Sequence, residues 1–231
     1  MMKFSLLFLA IHSCSAFIPV SSLNRRDVIY TGGVAVCDLF IENNEKTNVY
    51  MNATDKESHS QLSLHFYGSV TEESCLELTQ ALFALDKQAK HQKVDNPQMN
   101  PFIELHIQSP GGSLMPAFYV CDVIKQIDTP VYTYVDGFVA SAASLISVCG
   151  QKRYITKYSS MLIHQLKGAT SGKYSEIKDE LSNLNVFMEK VIEIYMINSN
   201  LNRTLLEDLL STDIWLDSDT CLKYGLVDFM L

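Results

Sequence analysis

The sequence predicts an α/β fold, and three observations carry that prediction. Short stretches with an apolar period of two alternate along the chain with longer ones whose apolar residues recur every three or four positions. One of the short stretches runs directly into a diglycine turn and a helix, which is half of a βαβ unit. The chain has 231 residues, 47% hydrophobic and 19% charged, enough for one domain with a sizeable core and a presequence.

The N-terminus reads as an address. Lys3 precedes the apolar run Phe4 to Ile11 and the small-residue stretch His12 to Ala16, which is the grammar of a secretory signal peptide over residues 1–16. Such a run is too short to span a bilayer. Phe17 then opens a hydroxylated, basic stretch with no acid before Asp27. Ser15-Ala16-Phe17-Ile18-Pro19 resembles the junction in the bipartite presequences of algae with complex plastids. The resemblance implies a plastid transit segment over 17–41, with the stroma favoured over the thylakoid lumen. Simple secretion is the alternative, and the glycosylation tripeptides Asn52-Ala-Thr54 and Asn202-Arg-Thr204 would suit it. Arg25-Arg26 fits a twin-arginine lumenal signal, but Asp38 interrupts the apolar run that should follow.

Residues 42–61 are polar and lack periodicity, so they read as a linker or N-terminal arm, with the folded domain over 62–231. Leu62, Leu64 and Phe66 alternate with Ser63 and His65 as a half-buried strand. Thr71 is an N-cap for a helix carrying Leu76, Leu78, Leu82 and Leu85, and Lys87 to Asn100 reads as a polar loop. Ile103, Leu105 and Ile107 alternate with Glu104 and His106 in a second strand, which enters Ser109-Pro-Gly-Gly and a helix from near Ser113. Pro116 falls in its first turn, where the missing N–H is not needed. After Thr129-Pro130 a strand covers Val131 to Val135, and after Gly137 a small-residue helix covers Ala140 to Val148. Strands are expected at Arg153 to Thr156 and Met161 to His164. The amphipathic helix Ser175 to Ile197 carries Ile177, Leu181, Leu184, Met188, Val191, Ile192 and Tyr195 on one side.

A net charge of −8 without a Lys/Arg cluster beyond Arg25-Arg26 excludes a nucleic-acid surface. Six well-separated cysteines, with no C-x-x-C pair, read as buried or idle thiols, not as zinc ligands or a disulfide framework. His65 and His106, on the polar faces of their strands, read as surface groups.

The remaining residues point to serine hydrolysis. A serine hydroxyl needs a base to take its proton, and a carboxylate commonly holds that base in the productive tautomer. The oxyanion needs backbone donors, which a glycine turn at a strand end presents without a Cβ in the way. Ser141 stands among alanines after Gly137, His164 closes an apolar strand, and Asp213, Asp217, Asp219 and Asp228 are the carboxylates available downstream. Ser144, one turn after Ser141, is the rival nucleophile.

Five motifs occur in order: Ser109-Pro-Gly-Gly-Ser113, Asp122 ending the next helix, Gly137-x-x-Ala-Ser141, Met-Leu-Ile-His164-Gln165 and Tyr224-Gly-Leu-Val-Asp228. Through them the segment from about Phe66 to Asp228 resembles the proteolytic subunit of the Clp protease. The resemblance implies a crotonase-like fold of repeated ββα units with a protruding handle helix, here Ser175 to Ile197. It implies Ser141 as nucleophile, His164 as general base, Asp213 as acid, and the N–H groups of Gly112 and Ala142 as oxyanion hole. It also implies rings of seven subunits stacked in pairs, an ATP-driven AAA+ unfoldase that feeds them, and unfolded polypeptides as substrates. Neither a metal nor an organic cofactor is expected in this chain, which lacks a G-x-x-x-x-G-K-[ST] loop; ATP would be used by the unfoldase. The chain departs from the family where Leu166-Lys167 replaces the proline usual after His-Gln, and where Thr212 replaces an arginine often found before the acid. A catalytically idle subunit of a mixed plastid ring and an acyl-CoA enzyme of the same superfold are the alternatives.

Overall fold

The structure is a computed structural model that describes residues 48–52 and 62–231, so the expected signal peptide and transit segment lie outside the described residues. Strand β1 (Asn48–Asn52) runs antiparallel to β2 (Leu62–Tyr67). It falls inside the stretch read as a polar arm.

Thr71 caps α1 (Glu72–Asp95), its hydroxyl accepting from Ser74 N–H while Ser74 Oγ accepts from Thr71 N–H. The helix corrects the expected loop from Lys87: it runs two further turns on good helix formers, and Lys90 bridges Asp86 and Asp128 at 2.7 and 2.8 Å. Polarity there marks the solvent side of a helix, since Ala89 is still buried. Then come β3 (Ile103–Ser109), α2 (Leu114–Gln126), β4 (Val131–Ala140), α3 (Ala142–Val148), β5 (Lys152–Ile155) and β6 (Ser160–Leu162). The handle region is α4 (Tyr174–Asn198), followed by α5 (Arg203–Leu210), β7 (Trp215–Asp217), α6 (Ser218–Lys223) and β8 (Phe229–Met230). Two expectations shift at this level. The strand after Pro130 continues through Gly137 to Ala140, leaving Ser141 as the N-cap of a shorter helix, and α2 runs one turn beyond Asp122. The elements after α4 were not anticipated from periodicity, because each spans two turns or fewer or only a few strand residues.

The sheet order is β1-β2-β3-β4-β5-β8, parallel from β2 onward, with β6 beside the far end of β4 and β7 antiparallel to β6. The expected α/β class holds. Leu64, Phe66, Leu105, Ile107, Val131 and Val135 are fully buried and meet Leu78, Leu82, Val120 and Ile146 from the helices in one core. The other face carries an aromatic row, His65, His106, Tyr134, Tyr154 and Phe229, with successive ring centroids 4.6–5.0 Å apart. The two histidines are therefore half-buried members of a cross-strand stack, with His106 Nδ1 2.9 Å from Asp136 Oδ2, and not the free surface groups that alternation suggested. Period-two patterning identifies the face but not the neighbours across it.

Asp228, a rival carboxylate, is committed to structure. Its Oδ2 accepts from the backbone N–H and Nε of Arg153 at 2.9 and 3.0 Å, and a further Arg153 N–H reaches Oδ1. The same guanidinium donates to the Gly225 and Asn198 carbonyls, so it ties the C-terminus to β5 and the end of α4. Arg153→Met is expected to cost about 2–3 kcal/mol, less than a wholly buried pair because Asp228 keeps some solvent. Urea denaturation would measure it, and a midpoint unchanged from the parent would refute the role.

Candidate active site

The end of β4 delivers Ser141. Ser141 N–H donates to Leu162 O at 2.8 Å, and Ala140 pairs with Leu162 in the parallel ladder, so β6 is locked beside the turn. Ser141 has φ 56°, ψ −130°, the only non-glycine positive φ among the described residues, at the junction of strand and helix. Such a conformation costs on the order of 1–3 kcal/mol, and it aims the Ser141 side chain out of the packed layer.

The diglycine turn abuts that junction. A Cβ on Gly111 would lie 2.6 Å from both Ala140 O and Ser141 Cβ, so only glycine permits the approach. Gly112 is held on its other side: Val70 N–H donates to Gly111 O and Ser113 N–H to Val70 O, at 2.9 and 2.8 Å. Neither Gly112 N–H nor Ala142 N–H is used by another described residue, the latter as an orphan donor of the first turn of α3. Gly112 and Ala142 line the same cavity as Ser141.

His164 arrives two residues after β6. The antiparallel register Leu162↔Trp215, carried two steps further, sets His164 opposite Asp213. Gln165 N–H donates to Leu210 O at 2.7 Å and fixes the same approach. His164 Nδ1 is 3.9 Å from Asp213 Oδ1, while its hydrogen bond goes to Gln165 O at 2.5 Å. Asp213 Oδ2 lies 3.3 Å from Lys167 Nζ. No hydrogen bond joins Ser141 Oγ to His164 among the described residues; the two share one cavity of about 850 Å³. Its wall mixes apolar Met115, Leu145, Phe187 and Val191 with Glu72, Gln165 and Lys167, and Gly112 and Ala142 also line it.

Three of the rivals are engaged elsewhere. Ser144 is fully buried, its Oγ bonded to Tyr195 Oη at 2.6 Å and donating to Ser141 O, so it anchors α3 to α4. Ser144→Ala is expected to cost about 1–2 kcal/mol by leaving the buried Tyr195 hydroxyl short of a partner. Thermal denaturation would show it, and labelling of Ser141 should persist. Asp217 caps α6, accepting from Thr220 N–H at 2.8 Å. Of the described cysteines, Cys75, Cys121, Cys149 and Cys221 are all free and buried. Burial pushes the Cys75 and Cys221 thiols up to about 11 and about 12, which keeps them protonated and inert. The contacts of Gly111 with Ser141, and of Lys167 with Asp213, were not foreseen, since both depend on chain segments far apart in sequence.

Residues 47–231 match the family model described as Clp protease. The chain is 28% identical over 172 residues to the ATP-dependent Clp protease proteolytic subunit 1 of Chlamydia muridarum, covering 73% of this chain and 85% of that protein. It is 32% identical over 126 residues to the subunit of the same description from Protochlamydia amoebophila, covering 53% of this chain and 61% of that one. A ClpP1 mutant from Listeria monocytogenes superposes with a TM-score of 0.63 at 22% identity, covering 73% of this chain and 90% of that one, which supports the fold.

Proposed function

Because the chain belongs to the Clp protease family, a family of serine peptidases, we propose that it cleaves unfolded polypeptides by acyl-enzyme chemistry at Ser141. One observation carries the reading: the strained Ser141 turn sits between two unused backbone donors, in a cavity that also holds His164. His164 Nε2 takes the proton from Ser141 Oγ as the oxygen attacks the peptide carbonyl. The oxyanion is held by Gly112 N–H and Ala142 N–H, each worth about 3 kcal/mol of transition-state stabilisation. The imidazolium then protonates the leaving amine, and water, deprotonated by the same ring, releases the acyl group. Asp213 serves as the acid that steadies the imidazolium. The chemistry needs no metal or organic cofactor; ATP would be spent by a partner AAA+ unfoldase.

The family works as oligomeric rings, and seven-membered rings stacked in pairs are the assembly proposed here. The long exposed part of α4 supports it: no residue from Tyr174 to Lys190 is buried, and Ile177, Leu181 and Val186 are apolar and open. No helix among the described residues is long and apolar enough to cross a membrane. On the presequence grammar around Phe17 we place the protein in a plastid, stroma before lumen.

Fluorophosphonate labelling of the assembled chain tests the reading, beside Ser141→Ala and Ser144→Ala. Labelling lost only in Ser141→Ala supports the peptidase. Absence of labelling in a verified ring favours the second reading, an idle ring subunit, for which the 3.9 Å gap between His164 and Asp213 speaks.

A further inference from the structure

The loop after β6 carries a cation that the reaction as written leaves unused. Lys167 lines the cavity with Ser141 and His164. Its Nζ is 3.3 Å from Asp213 Oδ2, whereas His164 Nδ1 is 3.9 Å from Asp213 Oδ1 and donates to the Gln165 carbonyl at 2.5 Å. One carboxylate thus faces both side chains and holds the lysine closer. A lysine paired with that carboxylate competes with the imidazole for it. Few other groups bear on the ring. Glu72, at the start of α1, is the other charged residue in the cavity wall; α3 contributes none, and α4 contributes apolar side chains and Tyr195, whose hydroxyl is held by Ser144. Asp217 is engaged at the cap of α6.

We propose that Lys167 is a positioning residue that competes with His164 for the Asp213 carboxylate and thereby sets the basicity of His164. The proposal rests on the reading of Ser141 and His164 as nucleophile and base. In the resting site the Gln165 carbonyl accepts from Nδ1, no described hydrogen bond engages Nε2, and the Asp213 charge is paired with the lysine. Removing the lysine charge lets Asp213 close on Nδ1–H and strengthens the base.

The test is the pH dependence of His164 carbethoxylation by diethyl pyrocarbonate, read by peptide mapping on the full assembled chain for the parent, Lys167→Met and Lys167→Arg. The reagent attacks neutral imidazole, so the midpoint reports His164 without needing turnover. Lys167→Met is expected to raise that midpoint by about 0.5–1 pH unit, a modest shift because Lys167 and Asp213 are both largely exposed. Lys167→Arg, which keeps the cation, retains the parental midpoint. A midpoint in Lys167→Met equal to or below that of the parent overturns the proposal, as does Lys167→Arg behaving like Lys167→Met. Fluorophosphonate labelling in the same samples separates the two layers. If the parent is not labelled at Ser141, the peptidase reading fails while the carbethoxylation midpoints still decide the role of Lys167.

Discussion

His164→Ala is expected to lower kcat for peptide hydrolysis by about a millionfold while leaving the fold intact. His164 follows β6 by two residues and lines the same cavity as Ser141, and its ring does not serve as a core anchor, its described hydrogen bond being to the adjacent Gln165 carbonyl. Without the ring, Ser141 Oγ loses its proposed base: of the two other charged residues in the cavity wall, Lys167 is paired with Asp213, and Glu72 has no described hydrogen bond to Ser141. Asp213→Asn is expected to cost far less than the roughly 10⁴-fold seen where a carboxylate alone sets the tautomer, because the Gln165 carbonyl already accepts from Nδ1. Steady-state hydrolysis of a fluorogenic peptide, with circular dichroism as the folding control, measures both. Equal losses in the two variants would show that the resting contacts of His164 do not persist in the working enzyme.

Gly112→Ala is expected to cost about 3 kcal/mol or more in stability and to cut kcat by about 10²–10³-fold. A Cβ at Gly112 would lie 2.2 Å from Val70 O, a backbone atom that cannot rotate away, and φ is +150°. The bridge between Val70 and Gly112 must open, and with it the donor aimed beside Ser141 moves. Gly137→Ala provides the contrast. It also has positive φ, +81°, but the nearest atom to its Cβ would be 3.9 Å away, so only the backbone strain of about 1 kcal/mol applies. Urea midpoints and labelling rates of the two variants should therefore diverge. Similar effects at both positions would mean that φ alone, and not the contact with Val70, governs the turn.

Much of the scaffold was legible because its elements are long or strictly periodic. The alternation at Leu62 to Phe66 and Ile103 to Ile107 marks the face that is buried, and the three- and four-residue spacing from Ile177 to Tyr195 marks α4. The Thr71 cap was legible because capping is local chemistry. Where polarity was taken for a loop, at Lys87 to Asp95, the helix persists because its outer face needs only solvent, and an exposed helix end resembles a loop in composition.

The site divides along the same line. The order of the Gly-Gly, Ser141, His164 and Asp213 motifs names the candidates for the chemistry, since hydrolysis requires particular side chains and a glycine backbone, and these are written in the chain itself. How they stand to one another is not. The approach of Gly111 to Ser141, the two-step register from Leu162↔Trp215 to His164 and Asp213, the bond by which buried Ser144 anchors Tyr195, and the pairing of Lys167 with Asp213 each join segments 30 or more residues apart. Residue types and local periodicity determine which groups are available; ladder register and packing decide which of them meet, because distances of a few ångströms between remote segments arise only when the sheet closes and the helices settle on it.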